Sequence, residues 1–266
     1  MSARRVPLWR VTILALAAIF FLGPLAASVD FSLQQENGRY GFQNYVDIVS
    51  NRDLRDALFK SLEIAAITAI VVVVLMLPTV VLVRLRLPRL TLLLESATVL
   101  PIVVPPIVLA AGLAQLQGSA PLWLVKLWFD HPLTGLTPIY VVLALPFTYR
   151  AIDTGLAAID LRTLVEASRS LGASWLQTLT RVVLPNVETA VLGAIFLTIA
   201  LCLGEVVIST IMLYVTLPVK LIQVGQTSPG ISVALSVVGL LFVFLLLFAL
   251  SFAAGRRRGS TSVRVI

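Results

Sequence analysis

"EASRSLGASWLQTLTRVVLP", Glu166–Pro185, lies between two strongly apolar runs yet carries Glu166, Arg169, Gln177, Arg181 and a glycine. Local rules read it as two short helices. Asp160 can cap a helix in which Leu161, Leu164, Val165, Ser168 and Leu171 recur at helical spacing. Gly172 ends that helix, as glycine does just past a helical C-terminus. Ser174 and Gln177 then form S-x-x-Q, a reciprocal cap that starts a second helix. Its apolar stripe is Trp175, Leu176, Leu179, Val182 and Val183, and Pro185 marks the passage into the next segment. The stretch is a helical hairpin bent at a glycine.

Outward from the hairpin the chain turns apolar. Of 266 residues 59% are hydrophobic and 12% charged, with a mean hydropathy of +1.00, far from the composition of a soluble domain. A bilayer core needs about 20 mostly apolar residues per helical span. Runs of that kind fall at about 11–29, 57–83, 90–116, 137–159, 189–217 and 231–254, with the hairpin loop at 160–185. The fourth is short, uncharged only over Thr137–Tyr149, and counts as a span because its flanking loops otherwise violate the charge rule below. The expected fold is all-α: a polytopic membrane protein of six transmembrane helices with a cytoplasmic two-helix hairpin, one transmembrane domain over 1–266. Arg4, Arg5 and Arg10 before an apolar run that ends near "LAAS", Leu25–Ser28, also fit a cleaved leader, but Val11–Val29 is longer than a usual signal core.

Basic residues orient the chain. With six spans, one side receives Arg4, Arg5, Arg10, Arg84, Arg86, Arg89, Arg150, Arg162, Arg169, Arg181, Arg256, Arg257, Arg258 and Arg264, which is 14 of the 20 Lys and Arg. The other receives Arg39, Arg52, Arg55, Lys60, Lys126 and Lys220. Positive loops stay inside, so both termini and the hairpin are expected in the cytoplasm of a cell-membrane, multi-pass protein. The net charge of +7 then reflects topology and contact with lipid, not nucleic acid, because it forms no basic patch interleaved with aromatics.

Several chemistries are excluded. Cys202 and His131 each stand alone, which leaves no intrachain disulfide and no Cys/His metal cluster. The chain has no G-x-x-x-x-G-K-[ST], H-E-x-x-H or G-x-S-x-G. No catalytic residue, cofactor or metal is expected, and ATP hydrolysis is assigned to a partner chain.

The hairpin resembles the cytoplasmic EAA signature of permease subunits of binding-protein-dependent ATP-binding cassette importers. Glu166, Ala167, Gly172, Leu184 and Pro185 match it, and Ser168 stands where the signature has its second alanine. "LPIVVPPIVLAAGL" (Leu100–Leu113), "LPFTYRAIDTGLAAID" (Leu145–Asp160) and "GEVVIST" followed by "TLPVKL" (Gly204–Leu221) are similar to the same family. The resemblance implies two permease subunits, the second expected to be a different chain, two cytoplasmic ATPase subunits, and an extracytoplasmic solute-binding protein. It also implies that Glu166, Ala167, Ser168, Gly172, Ala173, Trp175, Leu184 and Pro185 form the ATPase-coupling element. From pattern alone the hairpin can equally rest on lipid headgroups.

Candidate pathway residues sit in the spans. Pro101, Pro105 and Pro106 each remove a backbone donor, so the third span is expected to be broken, either lining the pathway or as a packed kink. Pro78 and Pro146 are single kinks. Glu205, after the small Gly204 in the fifth span, costs several kcal/mol facing lipid, roughly 2.5–3.5 on insertion scales. It serves either a cationic solute or the partner subunit. Glu95 and Glu188 lie near cytoplasmic ends, where water reaches them. "TLPVKLIQVGQTSPGISVALSVVGLL" is most similar to the spermidine/putrescine branch, while permeases for aminoethylphosphonate, ferric iron, thiamine and oxyanions share much of it. A secondary transporter or a structural membrane subunit are the other classes, and the paired ion-coupling residues of the former are missing.

Overall fold

The computed structural model describes residues 8–258 apart from 36 and 37, and the side chains of 9–35, 38–245 and 248. Arg4, Arg5 and Arg264 lie outside the described residues, as do the side chains of Arg256, Arg257 and Arg258. Among the described residues all regular structure is helical, and the β interaction is one isolated bridge, Gln34 to Tyr40. The protein is an all-α polytopic membrane protein.

Among the described residues three helices are long and apolar enough to cross a bilayer: α1 (Leu8–Leu33), α3 (Arg52–Arg86) and α7 (Pro132–Ala157). Between the first two lies α2 (Gln43–Ser50), and after α3 a 3-10 turn, Pro88–Leu90, leads into α4 (Thr91–Val103). The expected break in the third span is present. α4 stops at Val103, α5 (Pro106–Ser119) starts at Pro106, and the pair is bent by 89°. Val104 is extended, as a residue before proline must be, and Pro106 takes the first helical position, where a missing N–H costs nothing. Pro101 is accommodated inside α4.

After α6 (Leu122–Phe129), α7 begins at Pro132, earlier than the Thr137 expected from the uncharged run. The signal is local: the His131 ring accepts the Leu133 N–H at 3.2 Å, and Pro132 occupies the first turn. Leu136, Tyr140, Ala144, Thr148, Ile152 and Leu156, four residues apart, are all fully buried, so α7 is the core helix.

The chain continues as α8 (Leu161–Ser170), α9 (Trp175–Gln177), a π-helical turn (Thr178–Val183), α10 (Leu184–Asn186), α11 (Glu188–Gly204), α12 (Val207–Ile211), α13 (Leu217–Thr227) and α14 (Pro229–Arg258). The fifth apolar run, 189–217, is not a single helix: α11 ends at Gly204, and an extended Glu205 followed by Val206 separates it from α12. Close approach joins α7 to α11. A Cβ on Gly155 would collide with Ala190, and the buried Thr148 and Thr198 hydroxyls face each other at 3.4 Å.

The chain divides into two compact units, 1–55 with 220–244, and 56–219 with 245–266. In the first, the Asn44 amide donates to the Ser32 carbonyl at 2.9 Å and the Gln34 carbonyl at 3.0 Å, and Lys220 pairs with Asp53 at 3.5 Å. Among its described residues the second holds two apolar clusters. One gathers Val72, Val80, Val81, Ile152, Val183 and their neighbours. The other gathers Ile64, Leu136, Tyr140 and Ile208.

Candidate coupling site

The hairpin forms as its sequence dictates. The Asp160 carboxylate accepts the Thr163 N–H at 3.2 Å, capping α8. At the far end Gly172 adopts φ +84, the Ala173 N–H donates to the Ser168 carbonyl at 3.2 Å, and the Gly172 N–H donates to the Arg169 carbonyl at 3.0 Å. That bond pair is the Schellman closure, which favours glycine at the left-handed position. Ser174 and Gln177 complete the reciprocal cap of α9, with bonds of 2.8 and 3.3 Å.

Burial sorts the two expected stripes. Leu161, Val165, Leu179 and Val183 are buried in the apolar cluster of the second unit, and Trp175 packs against it. Leu171 and Leu176 do not belong to the inward stripe: they are 89% and 71% exposed on either side of the Gly172 bend. Thr178, which the apolar pattern passed over, is fully buried, and its hydroxyl meets that of Ser168 at 3.0 Å and donates to the Ser174 carbonyl at 3.0 Å. Serine at 168 is therefore a cross-link between the two arms of the hairpin.

Pro185 does not end the second arm. The helical path runs on to Asn186, and the bend of 85° into α11 falls at Val187. Pro185 cannot donate to the Arg181 carbonyl, which fits the widening of the preceding turn into π geometry.

Four charged side chains of the hairpin are engaged within the chain. Arg162 pairs with Glu166 at 2.8 Å, which raises the guanidinium further above its ordinary value, and both are largely exposed. The Arg169 guanidinium donates to the Ala173 carbonyl at 2.7 Å, across the bend. The Thr163 hydroxyl and N–H hold the Asp160 carboxyl below its usual range.

One cation–π contact joins this region to α3, and two ion pairs link the neighbouring helices to one another. The Arg86 guanidinium, from the end of α3, lies 6.0 Å from the Trp175 ring centre. Arg84 donates to the Asp153 carboxylate of α7 at 2.7 Å and to the Asp153 carbonyl at 3.0 Å, with side chains 31% and 25% exposed. Arg150 of α7 pairs with Glu95 of α4 at 2.8 Å. None of these pairs could be matched from sequence, although complementary charge on successive helix ends was the available signal.

The pathway candidates lie elsewhere. Glu205 is not at mid-helix but at the C-terminal end of α11, and its Oε1 accepts the Ile208 N–H of α12 at 2.9 Å. α11 has 17 residues, which puts Gly204 and Glu205 roughly 25 Å from the hairpin end. A cleft of about 840 Å³ between α4, α7 and α11 is lined by Ile102, Pro146, Arg150, Thr154, Asn186 and Leu197 among others. Gly204, Glu205, Pro101, Pro105 and Pro106 are not among its lining residues.

Comparison with known proteins adds family context. The family described as "Binding-protein-dependent transport system inner membrane component" matches residues 65–257. A Haloferax volcanii protein described as a probable molybdenum ABC transporter permease is 32% identical over 145 residues, 53% of each chain. A Methanocaldococcus jannaschii protein described as a molybdate/tungstate transport system permease is 30% identical over 128 residues, 47% of this chain and 51% of that one. The match thus spans about half the length of these curated relatives. A solved amino acid ABC transporter with histidines covers 82% of this chain and 99% of its own, with a TM-score of 0.53 and 17% identity, a likeness of fold.

Proposed function

The chain belongs to the family of binding-protein-dependent transport system inner membrane components, transport components rather than enzymes, and on that premise we propose that it forms half of a solute pathway driven by a separate ATPase docked on the 160–187 hairpin. The observation that carries this reading is the sorting of the hairpin's faces. Its apolar stripe is anchored in the span cluster while Leu171, Leu176, Glu166 and Arg162 project outward. A rigid element with one face fixed and one free transmits a push. The Arg84–Asp153 and Arg86–Trp175 contacts give that push a route into α3 and α7. We place both termini and the hairpin in the cytoplasm of a cell-membrane protein, by the charge bias. A second permease subunit and an extracytoplasmic binding protein complete the assembly.

For the solute we favour an oxyanion of the molybdate or tungstate type over the polyamine suggested by the 216–241 loop. The two curated relatives are named for molybdenum and for molybdate/tungstate. Glu205, the carboxylate that pointed to a cation, is occupied in capping α12. The test is uptake by the complete complex in proteoliposomes with its binding protein. Molybdate uptake with no spermidine uptake supports the oxyanion reading, and the reverse restores the polyamine one.

A further inference from the structure

Leu213 stands where backbone geometry asks for glycine. Its φ of +62 makes it the one non-glycine residue in the left-handed region among the described residues. The motif around it repeats the one at Gly172. The Tyr214 N–H donates to the Ser209 carbonyl at 2.9 Å, and the Leu213 N–H donates to the Thr210 carbonyl at 3.2 Å. Two helix ends close with the same pair of bonds, one through glycine and one through leucine.

The leucine side chain does not hold itself there, since it is 87% exposed. Its flanks do the holding. Met212 and Tyr214 are buried, and the Tyr214 hydroxyl donates to the Phe129 carbonyl at 2.8 Å in a space that a Cβ on Gly135 would fill. The Thr216 hydroxyl donates to the Ser209 hydroxyl at 3.2 Å, and the Leu217 N–H donates to the Ser61 hydroxyl at 2.7 Å. A disfavoured conformation over-determined on both sides presents a large apolar side chain outward, rigidly. Glycine would fit the backbone better. What leucine adds is a large apolar side chain held out from the fold.

The surroundings say what kind of contact. Leu213 rims a cavity of about 680 Å³ whose wall includes Lys60, Gln117 and Asp130. An ammonium, an amide and a carboxylate together call for water or polar partners rather than acyl chains. A rim mixed in charge around an apolar knob suits a separable protein partner, whereas permanent subunit interfaces are more apolar. Lys60 lies toward the opposite end of α3 from Arg84, which reaches α7 beside the hairpin, so this surface faces away from the ATPase side.

We propose that Leu213 is an anchor for the soluble binding protein on which this family depends, inserting into it while the adjacent cavity receives a polar side chain in return. This rests on the transport reading above. The test uses the complete complex in proteoliposomes, titrated with its binding protein, with ATP hydrolysis as readout. Leu213→Ala keeps the left-handed backbone and removes the knob. It should raise the half-stimulating concentration about tenfold, as loss of a central anchor does, with basal hydrolysis and subunit stoichiometry unchanged. Leu213→Met should stay close to the parent, and Leu213→Gly should match Ala. A normal titration with Ala overturns the anchor and leaves the transport reading standing. So does impairment by Ala with full function in Gly, which would make strain rather than contact decisive. Loss of the second permease subunit on purification would also overturn it, placing the knob in that interface instead. A parent complex that hydrolyses ATP with no response to any binding protein overturns both readings.

Discussion

Replacing Gly172 tests the hairpin at its narrowest point. The residue sits at φ +84, and a Cβ added there meets nothing within 4 Å, so packing contributes no penalty and the whole cost is conformational. A left-handed backbone costs an L-residue about 1–2 kcal/mol, and alanine recovers part of it by restricting the unfolded chain, leaving a loss of about 1 kcal/mol for Gly172→Ala. Valine, β-branched, meets the upper end, about 2 kcal/mol or more. At roughly 1.4 kcal/mol per tenfold, Gly172→Val opens the hairpin end some thirtyfold more often. The Ala173 amide, bonded to Ser168 across the bend, reports that opening by hydrogen exchange in the purified complex. Solute moved per ATP should fall in the order Gly, Ala, Val, while insertion, set by the spans, is unchanged. Parent-like Ala173 protection and parent-like coupling in Gly172→Val would refute the reasoning.

Three further outcomes follow from the same geometry. Arg84→Ala and Asp153→Ala should each destabilise by about 1–3 kcal/mol, since each strands a partly buried charge, and thermal unfolding of the four-member cycle should show a clear coupling energy; additivity would mean that the pair carries nothing. Thr178→Val should cost more than Ser168→Ala, itself about 1 kcal/mol, because Thr178 bonds both Ser168 and the Ser174 carbonyl, and the opposite order in chemical denaturation would contradict that cross-link. The Asp160 carboxyl is held low by Thr163, so its contribution is complete above the unfolded carboxyl value and is lost as pH falls through the lower folded value. The Thr163 amide should lose protection over that acidic window in the parent but show no such pH step in Asp160→Asn.

The features legible in sequence were those fixed by neighbours along the chain. Caps at Asp160 and Ser174, the stop at Gly172 and the break at Pro105–Pro106 depend on local backbone chemistry, and all appear. The errors came where tertiary contacts decide. An apolar stripe drawn by spacing put Leu171 and Leu176 inward, but the bend turns both to solvent, and the hydroxyl of Thr178 is buried because Ser168 meets it. Hydropathy ran the fifth span through Glu205, since averaging over a window hides one extended residue that ends a helix and caps the next. The left-handed Leu213 carries no signal at all, because leucine is the residue that position disfavours.

Docking of the ATPase on the hairpin is tested most directly by placing a cysteine at Leu171, which is 89% exposed at the bend, in a Cys202→Ser background. A short bifunctional cross-linker applied to the assembled complex should join that position to the ATPase subunit, with a yield that changes when ATP is added. A cysteine at Lys126, on the side assigned outward by the charge bias, should give no such product. Cross-linking to the ATPase from position 126 and not from position 171 would contradict the coupling role of the hairpin.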